Sequence, residues 1–173
     1  MEHIYKLNLS LGIDTEQQLA KGWQLFALET NCVNAGIDYY KRQARLHQKA
    51  LTAWDNMHRA AQADGLELYI CSAFRDYAYQ ANLIKKKLDK GIAISEILKI
   101  LAPPGFSEHH TGRAIDIISS EKPELDESFE DTEAFAWLAK NAKRYNFSLS
   151  YPRGNALGVM YEPWHWCYLD SVK

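Results

Sequence analysis

The sequence lacks several features that each indicate a class of protein. Its longest apolar runs are a few residues and are broken by Lys, Asp or Glu, so we expect no transmembrane segment. Basic residues are not in excess, since 20 Lys and Arg stand against 22 Asp and Glu, and we therefore expect no nucleic-acid partner. The three cysteines are odd in number and widely spaced, which does not suggest a disulfide framework.

The amino terminus also lacks a secretory signal, because it offers no basic segment followed by an apolar one. As the sequence reads, we expect a cytoplasmic protein; the cell envelope is the alternative if an export signal has been removed. With 173 residues, 47% of them apolar and 24% charged, the chain has the composition of one ordinary globular domain. We expect it to be a monomer.

The periodicity of the apolar residues predicts helices first and strands later. Helices are expected from Asp14 or Thr15 to about Asn31, over Tyr39–Ala63 and Asp76–Asp89, from Ser95, and over Thr132–Tyr145. Strands are expected over Leu66–Ser72, Ala114–Ile118, Phe147–Tyr151 and Trp164–Leu169. This order predicts a single α+β domain in which helices precede and pack on a small, mainly antiparallel sheet.

The strand that begins at Ala114 carries an acidic residue, Asp116, among apolar neighbours. In an extended chain Asp116 shares a face with Ala114 and Ile118, and the small alanine leaves room for a metal ion and its water. The alternative is a buried carboxylate that is satisfied by hydrogen bonds alone. We favour a bound cation, because an isolated buried charge is energetically expensive.

Histidines lie on both sides of this strand in the sequence. His109 and His110 are adjacent, so in an extended segment only one of them reaches the same metal as Asp116, and the spacing does not say which. Gly112 permits a backbone conformation that returns the chain from these histidines to the strand. His165 follows about fifty residues later, in the segment Glu-Pro-Trp-His.

Two imidazoles and a carboxylate with an open fourth position are typical of a catalytic zinc site, which also needs a general base. Glu162 is the candidate base, with a surface glutamate as the alternative. Residues three apart on a straight strand face opposite sides, so Glu162 must precede the strand of His165, in a turn that Pro163 helps to fix. Cys167 shares a strand face with His165, but we favour a core thiol over a ligand.

A further polar group follows the strand that ends at Ser72. Arg75 lies at the junction between this strand and the next helix, where an arginine is well placed to clamp a carboxylate or to stabilise an oxyanion. Gln80 follows more than one helical turn later. By itself this signal is weak, because most arginines are solvated.

These segments resemble the VanY-type D-alanyl-D-alanine carboxypeptidases, whose zinc peptidase group also includes VanX-type dipeptidases and the hedgehog signalling domain. The family pattern Ser-x-His-x-x-Gly-x-Ala-x-Asp is matched without a gap by Ser107, His109, Gly112, Ala114 and Asp116. The pattern Glu-Pro-Trp-His is matched by residues 162–165. The pattern Ser-x-Tyr-Arg, followed five residues later by Gln, is matched by Ser72, Arg75 and Gln80, with Phe74 where tyrosine is usual.

The resemblance extends from about Leu66 to the carboxyl terminus. It divides the domain into an N-terminal helical part, residues 1–65, and a zinc peptidase core, residues 66–173. It implies a zinc-dependent carboxypeptidase, with one Zn²⁺ per chain, that removes the C-terminal D-alanine from peptidoglycan stem peptides or muropeptides.

The resemblance also implies a role for each matched residue. The zinc ligands would be His109, Asp116 and His165, and Glu162 would transfer the proton. Arg75 would stabilise charge on the scissile carbonyl. The residues that would help to hold the peptide end are Ser107, Gln80 and Ser72.

Three other functions remain open. An L,D-carboxypeptidase would use the same residues on the terminal D-alanine of a tetrapeptide, and a cytoplasmic location favours it. A phage-type peptidoglycan endopeptidase is the second, although the Glu-Pro-Trp-His form fits carboxypeptidases better. The third is a zinc-stabilised binding module without catalysis, and the presence of Glu162 and Arg75 counts against it, because such a module needs neither.

Overall fold

The first helices of the chain are shorter than the sequence indicates. The computed structural model describes residues 1–170 and opens with two helices, α1 and α2, which span Glu2–Ser10 and Thr15–Ala20. Asp14 caps α2 as expected, because its side chain accepts a hydrogen bond from a backbone N–H of the first turn. The predicted continuation of this helix to Asn31 is wrong. Gly22, at φ 93°, takes a left-handed conformation just past the helix end.

A β-hairpin replaces the beginning of the second predicted helix. Its strands β1 and β2 span Val33–Ile37 and Gln43–Leu46 and pair antiparallel. The next helix, α3, spans Gln48–Ala63, so the prediction of helix from Tyr39 is wrong over its first nine residues. Within β2 the buried Ala44 and Leu46 alternate with exposed neighbours, which is the strand period of two. Asp38 also closes the hairpin turn by accepting hydrogen bonds from the backbone and side chain of Arg42.

The remaining elements follow the predicted order. The helices α4, α5 and α6 span Tyr77–Leu88, Ile94–Ile97 and Glu133–Asn141. Short 3-10 helices span Glu108–Thr111, Glu127–Asp131 and Ala142–Tyr145. The strands β3, β4, β5 and β6 span Leu68–Ser72, Ala114–Ser119, Phe147–Leu149 and His165–Tyr168. They form one antiparallel sheet in the order β3-β4-β6-β5, which confirms the predicted α+β fold.

One face of this sheet packs against α3 and α6. The apolar residues of this main core include Trp54 and Met57 of α3, Leu138 of α6, Ile115 and Ile117 of β4, and Trp166 of β6. Because side chains alternate across a strand, the residues between these on β4 and β6 point to the opposite face. That opposite face is covered as well, since every residue of β4 is buried. Within residues 1–170, no helix is long and apolar enough to cross a membrane.

Candidate metal centre and active site

The register of the sheet places an acidic residue and a histidine side by side. Asp116 of β4 is the partner of His165 on β6, and Ser72 is its partner on β3. Directly opposed residues of antiparallel strands point to the same face, so the side chains of Asp116 and His165 leave the sheet together, whereas the register of β3 shifts between Ile70 and Ser72. The Nδ1 atom of His165 lies 3.0 Å from Oδ1 of Asp116. The strand parity expected from the sequence is thereby confirmed.

A 3-10 turn brings His109 to the same place. This turn, Glu108–Thr111, ends at Gly112, whose φ of 64° is left-handed. A Cβ at Gly112 would lie 2.5 Å from the Cys32 sulfur and 2.9 Å from the His47 nitrogen, so a larger residue there would require a neighbour to shift. The predicted role of this glycine, to return the chain to β4, is confirmed. The Nε2 atom of His109 then lies 3.3 Å from Oδ2 of Asp116.

The three side chains form a group that fits a metal ion. One donor atom from each of His109, Asp116 and His165 lies within 4.8 Å of the other two, and all three residues are buried. His109 Nδ1 lies 2.7 Å from the Ala73 carbonyl oxygen, to which it donates, and this leaves Nε2 without a proton. Nε2 is close to Asp116 but forms no hydrogen bond, so this buried nitrogen is an orphan within residues 1–170. Two imidazoles and a carboxylate are the donor set of catalytic zinc, and they fit it here.

His110 is held away from this group by the backbone. Its Nδ1 atom lies 2.6 Å from the Arg75 carbonyl oxygen, and its Nε2 atom accepts a hydrogen bond of 3.1 Å from the Gly105 N–H. Both ring nitrogens are therefore occupied. Burial lowers the pKa of His110 to about 4, so the ring is neutral at physiological pH. Of the two adjacent histidines, His109 and not His110 therefore faces Asp116.

Glu162 lies in a turn immediately before β6, as the sequence requires. The His165 N–H donates to the Glu162 carbonyl oxygen over 3.1 Å, and the Glu162 N–H donates to the Tyr151 carbonyl over 3.1 Å. The Oε2 atom of Glu162 lies 3.7 Å from Nδ1 of His165, and 13% of the Glu162 side chain is exposed. The carboxylate therefore reaches the metal group from the side that remains open to solvent.

The charges of the group are strongly interdependent. Burial alone would raise the pKa of Asp116, but the imidazoles of His109 and His165 outweigh it and hold that pKa well below 3.8. Burial would lower the pKa of His165, yet hydrogen bonds to Asp116 and Glu108 raise it to about 10. Burial, together with the Arg75 guanidinium, lowers the pKa of His109 to about 4. In the metal-free protein, a protonated His165 thus balances the buried charge of Asp116.

The pKa of Glu162 is shifted in the opposite direction from that of Asp116. Burial raises the pKa of the Glu162 carboxyl from 4.5 to about 7, against a smaller opposing effect of the charge on His165. A carboxyl group with a pKa near the working pH is suited to take up a proton and to give it back. Perturbed carboxyl groups of this kind cluster at functional sites.

This raised pKa predicts how the stability of the metal-free protein depends on pH. Between pH 4.5 and about 7 the unfolded chain loses the Glu162 proton while the folded chain keeps it, so ionisation favours unfolding. The free energy of unfolding is lowered by on the order of 3 kcal/mol in total, and the full decrease is reached above about pH 7. With EDTA present, we expect Glu162→Gln to match the wild type at pH 4 and to be more stable at pH 8. Urea unfolding at both pH values measures this, and parallel curves for the two proteins would contradict it.

The other residues singled out in the sequence surround the group on different sides. The Nη2 atom of Arg75 lies 3.7 Å from Oδ2 of Asp116, and its Nε atom has no hydrogen-bond partner among residues 1–170. Gln80 donates through Nε2 to the Ala102 carbonyl over 2.7 Å, and its buried Oε1 has no partner in the described part of the chain. Ser107 is buried and lines a small cavity together with Gln80 and the two histidines of the group. Ser72 instead lines a separate cavity of about 220 Å³, away from Ser107 and Gln80.

A larger cleft opens in front of the group. It has a volume of about 480 Å³, which is within the range of small-ligand sites. Arg75, Asp116 and Glu162 contribute polar atoms to it, and its apolar walls include Leu101, Met160 and Trp164. The cleft therefore gives a ligand access to Asp116 of the metal group and to Glu162.

Two polar residues of the site were not identified from the sequence. Glu108 Oε2 lies 2.9 Å from His165 Nε2, and it accepts a hydrogen bond of 2.6 Å from Ser150. Glu108 stands directly beside His109 in the motif, but an extended segment would have pointed it away. Cys167, by contrast, is a core thiol as favoured: it is buried, and burial raises its pKa, so it remains protonated.

The chain is similar to known proteins over most of its length. A family model described as VanY, D-alanyl-D-alanine carboxypeptidase, matches residues 43–171. YodJ of Bacillus subtilis (strain 168), provisionally named a carboxypeptidase, is 35% identical over 130 residues. That alignment covers 73% of this chain and 47% of YodJ, so the chain spans about half the length of this relative.

Two solved structures share the fold. The structure of the LdcB LD-carboxypeptidase, described as revealing the molecular basis of peptidoglycan recognition, is 29% identical with a TM-score of 0.72. The alignment covers 82% of this chain and 69% of LdcB. VanYB in complex with D-alanine-D-alanine is 25% identical with a TM-score of 0.63, and that alignment covers 83% of this chain and 78% of VanYB.

Proposed function

From the premise that this chain belongs to the VanY family of D-alanyl-D-alanine carboxypeptidases, we propose that it removes the C-terminal D-alanine from peptidoglycan stem peptides. One Zn²⁺ per chain would be held by His109, Asp116 and His165. The observation that carries the proposal is the buried Nε2 atom of His109, which has no hydrogen bond within residues 1–170 and converges with the other two donors beside Glu162.

When bound, zinc lowers the pKa of its water to about 7 and polarises a carbonyl group. Glu162 Oε2, 3.7 Å from His165 Nδ1, is placed to accept the proton of the attacking water. The same carboxyl group, now protonated, then delivers that proton to the nitrogen of the leaving D-alanine.

Arg75 would stabilise the negative charge that develops on the scissile carbonyl oxygen. Its side chain lines the cleft, and its buried Nε–H is unpaired within residues 1–170. A donor that is already oriented in a water-poor site needs no reorganisation when the charge appears, and this is the source of its effect. The ion pair with Asp116, at 3.7 Å, keeps the guanidinium beside the metal group.

The residues proposed to hold the peptide differ in the hydrogen-bonding groups that they offer. One of the two N–H donors of the Gln80 amide is occupied by the Ala102 carbonyl, and its buried Oε1 acceptor, unpaired within residues 1–170, suits a peptide N–H rather than a carboxylate. The Ser107 hydroxyl is able to donate to the terminal carboxylate. Ser72, which faces the neighbouring cavity, would contact a more distant part of the peptide.

We also propose that residues 1–65 complete the domain whose chemistry is carried by residues 66–173. Trp23 lines the same small cavity as Gln80, Ser107 and His165. The backbone oxygen of Phe26 accepts a hydrogen bond of 2.8 Å from Tyr77 of α4. The N-terminal part therefore contributes a wall to the site, and removing it would expose the cavity to water.

An L,D-carboxypeptidase is the second candidate, and the likeness to the LdcB structure favours it. The two reactions release the same amino acid and differ in the residue on the other side of the scissile bond. Defined tetrapeptide and pentapeptide muropeptides, incubated with the zinc-loaded protein and followed by mass spectrometry, separate them. Loss of one D-alanine from the pentapeptide supports the D,D activity, and loss from the tetrapeptide supports the L,D activity. Cleavage within the stem would indicate an endopeptidase, and no cleavage a binding module.

A carboxypeptidase should depend on the free end of its substrate. Amidating the terminal D-alanine removes its charge and leaves the scissile bond chemically similar. Hydrogen bonds to charged groups are worth about 1.5–3 kcal/mol, so we expect kcat/KM to fall by more than about tenfold. Paired assays of the free and amidated peptides measure this. Equal rates on the two peptides would contradict the carboxypeptidase assignment.

A further inference from the structure

Two imidazoles face the proposed metal position, and each is held by a different kind of hydrogen-bond acceptor. The His109 ring donates through Nδ1 to the Ala73 carbonyl oxygen and therefore presents Nε2. The His165 ring has Nε2 against the Glu108 carboxylate, 2.9 Å away, and presents Nδ1 to Asp116. As neutral metal ligands the two histidines would therefore be opposite tautomers, with the proton of His109 on Nδ1 and that of His165 on Nε2.

The Glu108 carboxylate is itself fixed in place. Its Oε2 atom accepts from the Ser150 hydroxyl over 2.6 Å as well as contacting His165. Its side chain is 21% exposed, so most of it is withdrawn from water. Ser150 follows β5 directly and His165 begins β6, so these neighbouring strands supply both contacts. The series Ser150–Glu108–His165 is thus built into the sheet edge and its adjoining 3-10 turn.

We propose that Glu108, oriented by Ser150, is a positioning residue that holds His165 with its proton on Nε2 and presents Nδ1 to the metal. The inference rests on the proposed zinc site. A carboxylate partner fixes the ring orientation of a metal-binding histidine and raises its basicity, which strengthens it as a ligand. A backbone carbonyl, the partner of His109, orients its ring without a full negative charge.

Glu108 is not itself a ligand or the base in this arrangement. The two nitrogens of an imidazole point in diverging directions, so an oxygen against Nε2 lies on the far side of the ring from Nδ1. Within residues 1–170 the group of converging donors contains His109, Asp116 and His165, but not Glu108. Glu162, by contrast, lies on the Nδ1 side, 3.7 Å from that atom. The two glutamates flank one imidazole and serve different purposes.

Zinc affinity tests the inference without reference to activity. We expect Glu108→Ala to raise the zinc Kd by about 10–100-fold, the usual effect of losing such an outer partner. Glu108→Gln keeps an uncharged acceptor oxygen, so its zinc Kd should stay within about tenfold of the wild-type value. Ser150→Ala removes only the orienting hydroxyl and should raise Kd by about threefold. Competition with a chromogenic chelator measures all three, with the exposed Glu124→Gln as the control.

A spectroscopic readout separates positioning from a general loss of structure. In zinc-loaded protein with ¹⁵N-labelled histidine, His165 should show a slowly exchanging Nε2–H proton and a metal-bound Nδ1. Glu108→Ala should speed the exchange of that proton, while the Nδ1–H of His109 stays unchanged. If Glu108→Ala does not fold, zinc affinity and the exchange of the His165 Nε2–H proton are measured on Glu108→Gln and Ser150→Ala instead. Wild-type zinc affinity and an unchanged Nε2–H signal in these variants would overturn the inference alone; a wild type that binds no zinc would overturn the proposed function with it.

Discussion

Replacing Glu162 with glutamine is expected to lower kcat by about 10²–10⁴-fold, the usual contribution of a general base. Glutamine has nearly the same shape but cannot accept the proton of the attacking water. The proposed ligands are untouched, so the variant should still bind one zinc ion per chain. Single-turnover cleavage of a defined muropeptide, with zinc content measured on the same sample, gives both quantities. A near-normal kcat would remove Glu162 as the base and revive the binding-module alternative.

The comparison with Glu108→Gln makes this test specific. Both glutamates contact His165, one at 3.7 Å from Nδ1 and the other at 2.9 Å from Nε2. Glu108→Gln should act mainly through zinc affinity, so saturating zinc should restore much of its activity. Zinc concentration should not rescue Glu162→Gln, because its defect lies in proton transfer. If excess zinc restores Glu162→Gln and not Glu108→Gln, the two roles have been exchanged.

Strand parity predicted from the sequence which face of β4 carries Asp116, while the choice of His109 over His110 came from the family resemblance. Alternation along Ala114–Ile118 put Asp116 on the face away from the main core, and the same rule applied to His165. The position of Glu162 followed as well, since a residue three before His165 had to precede the strand. These predictions depend on local geometry with a fixed period, and such geometry is legible in a single sequence.

The errors lie where distant parts of the chain decide the structure. Residues 39–46 read as helical because a helical stripe begins at Leu46, but Phe74 donates to the Arg45 carbonyl and Tyr39 donates to the Ile70 carbonyl. These contacts hold the segment as a hairpin and turn beside β3. No local sequence pattern predicts these contacts, because the partners lie about 30 residues apart in the chain.

The partnership of Glu108 with His165 escaped prediction for a related reason. Alternation was applied to the segment after Ser107 as though it were extended, although it forms a 3-10 turn. In that turn Glu108 and His109 both reach His165 from one side of the sheet, with the His109 and His165 ring centroids 5.0 Å apart. The sequence did offer one signal of this turn, the glycine at position 112, because glycine in a left-handed conformation commonly ends a helical turn.

Replacing His109 and His110 one at a time should show which of these adjacent histidines binds the metal. We expect His109→Ala to weaken zinc binding by more than about 100-fold, because losing an outer partner alone costs about 10–100-fold. His110→Ala should still bind one zinc ion per chain, since both nitrogens of His110 are engaged by Arg75 and Gly105 rather than by the metal. Its defect should appear in stability instead, because it leaves two backbone groups unpaired in a buried position.

Zinc content by mass spectrometry of the folded fraction, alongside thermal unfolding with EDTA, distinguishes these outcomes. The exposed His3→Ala is the control for removing an imidazole, and it should change neither quantity. His109→Ala should lose zinc and should be less destabilised in EDTA than His110→Ala, because it leaves one backbone group unpaired, the Ala73 carbonyl, rather than two. Stoichiometric zinc in His109→Ala, together with loss of zinc from a folded His110→Ala, would reverse the choice of ligand. The orphaned nitrogen of His109 would then need a different explanation.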